Sequence, residues 1–553
     1  TITLTAPAAG PGMSYRWRRN SSEIPLNEAR FSGMQEPALK ITGTQLGDTA
    51  SYTCMITLPD GLGTVETGAI DLFVVTRPVL PPLTDSNAPP PAYIGVDYNW
   101  TLPYATTASQ TPTAFSTSGL PPGLRLNTST GVISGRPTQI GQFKLTSTAS
   151  NAAGASTPAA VGYLTVNPLP SANVGSFVAT ISPSSQLNGN KGGRMDLTVL
   201  DTAAYTARLI LGTETISAAG SLGIGSALTG SGGLTYQSRI QLKRRDKSVL
   251  TLLFEIDPDQ GYVTGIITNG TESSGVSGFR QFWDSRWNPC AYALAAGSFY
   301  NMALNLDDED VGKANIPQGS GYLSMSVSSK GVGTLSGRLP DGTSVTGSSM
   351  IGPAGEALLF SMLYLNKGSI LSQINIGDTA LGTAGNTLLR VDGSLRWIKD
   401  AMAATERNYQ PGFPSTTLII QGASYSNPGT NKIIMGLPDT AGTGAANARI
   451  DFSQGGLDSA SRNPDRAIRI TTANGSVYPE TNAASTSLAI SAATGALSGS
   501  FLLNDNGVAR TVTYLGLVIP AIPHTPAVTN TSGVILQNEI PGSGAFGAGY
   551  FLL

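Results

Sequence analysis

Cysteine, histidine and charge are all scarce in this chain, and each shortage removes a class of function. Cys54 and Cys290 are the only two cysteines in 553 residues. They cannot make a disulfide framework, and neither lies in a Cys-x-x-Cys or His-linked pattern, so a zinc site has no ligands to draw on. The single histidine, His524, sits between Pro523 and Thr525. With no Gly-x-Ser-x-Gly elbow to accompany it, a Ser-His-Asp triad has no starting point. Charged residues make up 12% of the chain and the formal net charge is −2. No field therefore draws in nucleic acid or an anionic membrane. No apolar run reaches the length of a membrane span. The chain opens at Thr1 without a leader, so an export signal is expected to have been removed or to lie outside this sequence.

What is abundant is glycine (66) and proline (35), a composition that disfavours long helices and suits short strands joined by tight turns. The length suggests roughly three to five domains. One phrase recurs four times: Leu126–Gly135 (LNTSTGVISG), Ile256–Gly265 (IDPDQGYVTG), Val327–Gly337 (VSSKGVGTLSG) and Ile490–Gly499 (ISAATGALSG). In each, a strand runs into turn-forming residues, a glycine supplies a positive φ, and an apolar residue before Ser/Thr-Gly starts the return strand. The spacing predicts four β-hairpins in an all-β chain.

Residues 1–76 read as one sandwich. Tyr15-Arg16-Trp17 alternates as a strand with an inward Trp, Leu39-Lys40-Ile41 precedes the corner, and Tyr52 lies two places before Cys54 in Asp48–Cys54. This pattern resembles immunoglobulin domains, and the resemblance implies a tyrosine corner and a Cys–Cys bridge behind the Trp. The partner position holds Ala6. Cys54 is then expected as a buried free thiol against Trp17, over a disulfide to Cys290. The same alignment starts Thr1 in the second strand of the sandwich. The first strand is expected from polypeptide outside this chain, or from another chain, along the edge at Thr1–Ala6.

Arg77–Pro91 (RPVLPPLTDSNAPPP) reads as an extended Pro-rich linker. Residues 92–167, with Gly119-Leu120-Pro121-Pro122-Gly123-Leu124 ahead of the first repeated phrase, resemble the immunoglobulin- and cadherin-like modules of bacterial surface proteins. That resemblance implies a spacer in a stalk. A second linker, 168–174, leads into internal repetition. Gly175-Ser176-Phe177 followed by Gly193–Val199 is echoed by Gly297-Ser298-Phe299 followed by Gly321–Val327, with apolar residues at every second position. We read β-units at 175–295 and 296–384 and a divergent third at 385–553. Their arrangement resembles the C-terminal parts of exported immunoglobulin-containing proteins of Verrucomicrobia-like bacteria. Gly549–Leu553 is apolar enough to be expected as a strand closing the last unit. The fold class is thus tandem immunoglobulin-like sandwiches followed by repeated antiparallel β-barrel or sandwich units.

Few residues suggest chemistry. Asp307, Asp308 and Asp310, in the run Asp307-Asp308-Glu309-Asp310, are the weak candidate calcium ligands; consecutive acids cannot all face one ion, and a solvated acidic turn is the weightier reading of the run. Trp283 and Trp287 in Phe282–Pro289 are the candidate sugar-stacking residues, with a Trp-rich plug at the end of a β-barrel as the alternative. Lys243–Lys247 reads as a charged hairpin tip. No paired carboxylates are marked out for glycoside hydrolysis. The expectation is a non-enzymatic structural or adhesive protein of a bacterial cell surface or extracellular fibre, with no cofactor other than calcium. Its expected partners are further copies or other surface-protein subunits. A carbohydrate-binding accessory to secreted polysaccharide machinery is the alternative.

Overall fold

A computed structural model describes residues 1–226, 234–244, 248–380, 388–403, 409–452, 457, 464–505, 507–520, 534–537 and 546–551. The chain forms two compact units, Thr1–Leu169 and Pro170–Leu553. Both are built almost wholly of antiparallel strands.

The first unit begins with an immunoglobulin-like sandwich. One sheet orders Ile2–Thr5, Ala38–Ile41 and Phe31–Ser32. The other is centred on Ser14–Arg19 and Ala50–Thr57. Alternation does here what period-2 patterning requires: Tyr15 and Trp17 point in, and so do Tyr52, Cys54 and Ile56 on the neighbouring strand. Trp17 lies opposite Cys54 in the register and donates its Nε1–H to the Glu36 carbonyl at 3.0 Å. Tyr52 donates its hydroxyl to the Asp48 carbonyl at 2.9 Å, which is the expected tyrosine corner. Cys54 and Cys290 are both free and buried; burial pushes the Cys54 thiol up, so it behaves as a small apolar residue. Asp48 is fully buried and is gripped through both oxygens by Arg30, at 2.6 and 2.9 Å, with a further hydrogen bond from the Gln45 amide at 2.7 Å.

The second module pairs Ala114–Ser118, Gly141–Asn151 and Ala160–Asn167 in one sheet and Tyr98–Thr101, Val132–Gly135 and Leu124–Leu126 in the other. Phe115, Ile133, Leu145 and Leu164 fill the space between. The segment 77–91 is not a free linker. Leu80 and Leu83 are buried in this module's core, and Leu83 makes a parallel bridge to Gly162. A Cβ at position 162 would stand 2.4 Å from that of Leu83. The glycine therefore permits the approach, and two leucines among prolines suffice to bury the segment.

The second unit contains three curled meanders. In the first, the strands run in the order Glu214–Ser221, Ala204–Leu211, Gly193–Val199, Gly175–Ile181, Ser273–Arg280, Tyr262–Thr268, Leu250–Ile256, Leu234–Leu242 and Gly223–Ser226. The two ends of this sheet are one stretch of chain interrupted only at buried Leu222, so the sheet closes on itself as a barrel. The second repeats the plan: Ser344–Met350, Val332–Arg338, Gly321–Val327, Phe299–Leu306, Phe413–Tyr425, Leu389–Lys399, Gly368–Ala380 and Glu356–Leu363. An Ile351–Ala357 bridge joins its ends. In both, the first strand pairs with the last. The expected boundary at 384 is corrected by this pairing. Leu389–Lys399 and Phe413–Tyr425 complete the second barrel, because its first strand, Phe299–Leu306, has Phe413–Tyr425 as a neighbour.

The third sheet orders Ser476–Val477, Arg466–Ile470, Ala448–Phe452, Val534–Gln537, Phe546–Phe551, Val508–Ile519, Ala496–Asp505 and Ser487–Ile490, with a Gly475–Ala489 bridge between its ends. Its last strand lies inside the sheet, with Leu515 opposite Tyr550 and Tyr514 opposite Phe551. The expected closing strand is therefore present through Phe551, while Leu552 and Leu553 lie outside the described residues.

All four repeated phrases are hairpins. Their turn glycines, Gly131, Gly261, Gly331 and Gly495, have φ of 73°, 73°, 68° and 77°, a region that costs any residue with a Cβ.

Candidate functional site

Between the first and second barrels the chain crosses over through Gln281–Ser298, and the two tryptophans singled out in the sequence lie here. Asp284 and Asn288 bridge antiparallel, closing a tight turn. The Asp284 carboxylate accepts the amides of Arg286 and Trp287, both at 2.9 Å, and Asn288 donates to the Phe282 carbonyl at 3.2 Å. Those two amides, with Lys330 nearby, hold the Asp284 carboxyl below the usual carboxylate range. The turn is thus built by its own side chains, and it projects Trp287 to 80% exposure. The Arg286 guanidinium lies 4.9 Å from the centre of the Trp287 ring and supports it by a cation–π contact.

Trp283 and Trp287 do not share a platform. Trp283 is half-buried and packs on the core of the second barrel, edge-on to both Phe282 and Tyr292, with its Nε1–H donated to the Gly352 carbonyl at 3.2 Å. It is a wedge, as the plug reading expects, whereas Trp287 is an open stacking surface.

The acidic run is a single 3-10 turn, Asp308–Asp310, after the first strand of the second barrel. Asp310 is paired with Lys313 at 2.7 Å. Among the described residues no three His, Cys, Asp or Glu side chains gather as a metal-binding group. Asp307, Asp308 and Asp310 are therefore not brought together. Of the basic run, Arg244 is held by Glu214 at 2.7 Å, and Arg245–Lys247 lies outside the described residues. His524 lies outside them too.

One cluster was not anticipated. Among the turns at one end of the second barrel, buried Asp341 accepts the Tyr364 hydroxyl at 2.6 Å and the Thr343 amide at 2.9 Å. Trp397 donates to the same hydroxyl at 3.0 Å, and the ammonium of buried Lys399 lies 4.7 Å from the Tyr364 ring centre. Burial, then the Asp341 charge, raises the Tyr364 phenol well above its ordinary range, so it acts only as a neutral donor and acceptor. Tyr364, Leu365 and Asn366 all have positive φ, 53°, 52° and 70°, a left-handed turn that costs roughly 1 kcal/mol or more per residue. Only Asn366 is of a type that hints at such a backbone. Tyr364→Phe should lower the stability of this barrel by about 1–3 kcal/mol, because it leaves Asp341 short of a donor and Trp397 short of an acceptor. The check is chemical denaturation followed by tryptophan fluorescence; an unchanged midpoint would show that the network adds nothing.

Among known proteins, the family model described as "Putative Ig domain" matches residues 81–167. The match occupies well under half of the chain and so names one module. No curated protein matches. Solved structures that overlap include a putative alpha-galactosidase from Bacteroides fragilis, at 26% identity over 22% of this chain and 23% of that one with a TM-score of 0.14. Sidekick-1 immunoglobulin domains 1–4 give 12% identity over 64% and 93% with a TM-score of 0.21. Extracellular domains 3–5 of Drosophila OTK give 13% over 39% and 90% with a TM-score of 0.14. The chain spans about a fifth to a quarter of the length of two such alpha-galactosidase structures, 22% and 23%. No helix among the described residues is long and apolar enough to cross a membrane.

Proposed function

We propose that this chain is a non-enzymatic structural and adhesive protein of a bacterial cell surface or extracellular fibre, whose β-modules act as a stalk and whose exposed loops and strand edges meet further subunits. The observation that carries the reading is how firmly successive barrels of the second unit are held together. Val178 and Phe279 of the first barrel pack on Leu358 of the second, Tyr262 donates to Glu356 at 2.8 Å, and Lys191 pairs with Asp400 at 2.7 Å. Ala303 of the second packs on Leu517 and Ile519 of the third. Apolar contacts at both junctions, with an ion pair added at the first, resist bending, which is what a spacer needs and what a hinged catalyst would avoid. Labelling intact and permeabilised cells of the source organism with an antibody to the second unit tests the location. Signal on intact cells is expected; signal confined to permeabilised cells would overturn the reading.

The exposed Trp287 ring favours a second reading, carbohydrate contact, since a sugar ring stacks on such a face. Trp287→Ala should abolish glycan-array binding while leaving the melting profile unchanged, because so exposed a ring contributes little to folding. An array on which the native chain retains no glycan would end this reading and leave the first intact.

A further inference from the structure

The repeated turn does the same thing in all three barrels. Beyond shaping its own hairpin, it is met by residues of the segment or barrel that precedes its own. In the first barrel, buried Asn173 of the incoming segment donates to the Ile256 carbonyl at the turn's edge, at 3.5 Å. A Cβ on Gly261 would stand 3.0 Å from the Ala172 carbonyl oxygen. In the second, the turn's two exposed carbonyls are taken up by the crossover. Ser329 accepts the Cys290 amide at 2.9 Å, and Lys330 accepts the Gln281 side-chain amide at 2.7 Å. Trp283 lies against Gly331 so closely that a Cβ there would come within 2.2 Å of its ring. In the third, Tyr425 donates to the Ala492 carbonyl at 2.5 Å, and fully buried Asn301 of the second barrel donates to the Thr494 and Val518 carbonyls, both at 3.0 Å. Gly495 is again the residue without a side chain, 2.8 Å from the Asn301 amide nitrogen on the same construction.

A second feature ties the turn to the adjacent strand of its own barrel. The carbonyl of each turn glycine accepts an amide from a neighbouring strand: Arg280 to Gly261 at 2.9 Å, Ile351 to Gly331 at 2.8 Å and Val518 to Gly495 at 2.8 Å. The turn therefore stands between two clients, the barrel it closes and the polypeptide arriving from the preceding module. Its bare α-carbon is what lets both approach.

We propose that this turn is the coupling joint of the second unit: each barrel reaches its full stability only when the preceding segment is seated on its turn, so the three barrels open as a linked series and not independently. The joint goes beyond the stalk reading and does not depend on where the protein resides or what it meets.

The test uses the whole chain and hydrogen exchange read by mass spectrometry. Asn301→Ala removes the side chain that reaches both the Thr494 and Val518 carbonyls, without altering the turn itself. Exchange is expected to rise on the order of tenfold or more, the loss of two buried hydrogen bonds, at Ser491–Gly495 and also across Ala496–Asp505 and Val508–Ile519, which Asn301 touches only at Val518. A rise confined to Ser491–Gly495 would overturn the proposal, since it would show a local contact without coupling. Tyr425→Phe, which keeps the ring and loses only the bond to Ala492, is the milder companion. It should give the same pattern in smaller degree, and no change anywhere in the third barrel would likewise overturn the joint. If Asn301→Ala prevents folding, the Tyr425→Phe pattern decides alone.

Discussion

Arg30→Ala is expected to lower the denaturation midpoint of the N-terminal sandwich well beyond what an ordinary surface substitution does, because it strands the Asp48 carboxylate. Asp48 is fully buried, and Arg30 supplies two of its hydrogen bonds at 2.6 and 2.9 Å. Arg19 is a distant substitute at 4.0 Å. Replacing both partners, as in Arg30→Leu with Asp48→Leu, should be far milder than either single change, because the desolvated charge is gone. The pH dependence has a definite sign. The hydrogen bond from Arg30 depresses the Asp48 carboxyl below 3.8. A depressed acid contributes stability that is fully present above its unfolded value and is lost as pH falls through the folded one. The sandwich should therefore hold its midpoint from neutral pH down to about pH 4 and weaken below it. In Arg30→Ala the depression is removed, so this loss on acidification should be smaller than in the native chain. A variant whose denaturation midpoint at neutral pH equals that of the native chain would refute the argument.

Deleting Phe546–Leu553 is the other change with a large expected effect. Phe546–Phe551 faces Val508–Ile519 at six register positions, from Ile519–Phe546 to Tyr514–Phe551, and also meets Val534–Gln537. It is an interior strand of its sheet. Its loss exposes a row of backbone donors and acceptors on both sides, at a cost on the order of 5 kcal/mol if each paired position is worth about 1 kcal/mol. The third barrel should lose amide protection along Val508–Ile519, while Gly175–Ile181 in the first barrel keeps its own. Undiminished protection of Val508–Ile519 after the deletion would show that the sheet does not rely on this strand.

Much of this architecture could be read in advance because it is local. A hairpin turn is specified by residues within ten of one another, and all four glycines predicted to have positive φ have it. The second strands of the two repeats, Gly193–Val199 and Gly321–Val327, carry the same alternation, and each pairs with the first strand of its barrel. Where closure is non-local, prediction failed. Nothing near position 384 marks Leu389–Lys399 and Phe413–Tyr425 as belonging to a barrel begun at Phe299, since meander strands all alternate alike. Proline-rich composition concealed the burial of Leu80 and Leu83, because it reports backbone stiffness and not where a leucine side chain ends up. The candidate site was half legible: clustering of tryptophans pointed to the crossover, but only the turn made by Asp284 decides that Trp287 faces out and Trp283 in. Arg30 and Asp48, or Asp341, Tyr364 and Lys399, are joined by sheet curvature across tens of residues, and no spacing rule connects them.

The pairing of first strand with last in the two complete meanders also sets the order in which the chain can form. Successive hairpins such as Gly193–Val199 with Ala204–Leu211 close small loops and can zip as they emerge. Gly175–Ile181, however, must wait for Ser273–Arg280, and Phe299–Leu306 for Phe413–Tyr425. Such distant pairs raise contact order and slow the final step. A nascent barrel thus spends most of its synthesis as an open ribbon with one strand edge waiting for its last strand, and the hazard it faces is capture of that edge by the corresponding strand of its neighbour, whose alternation is the same.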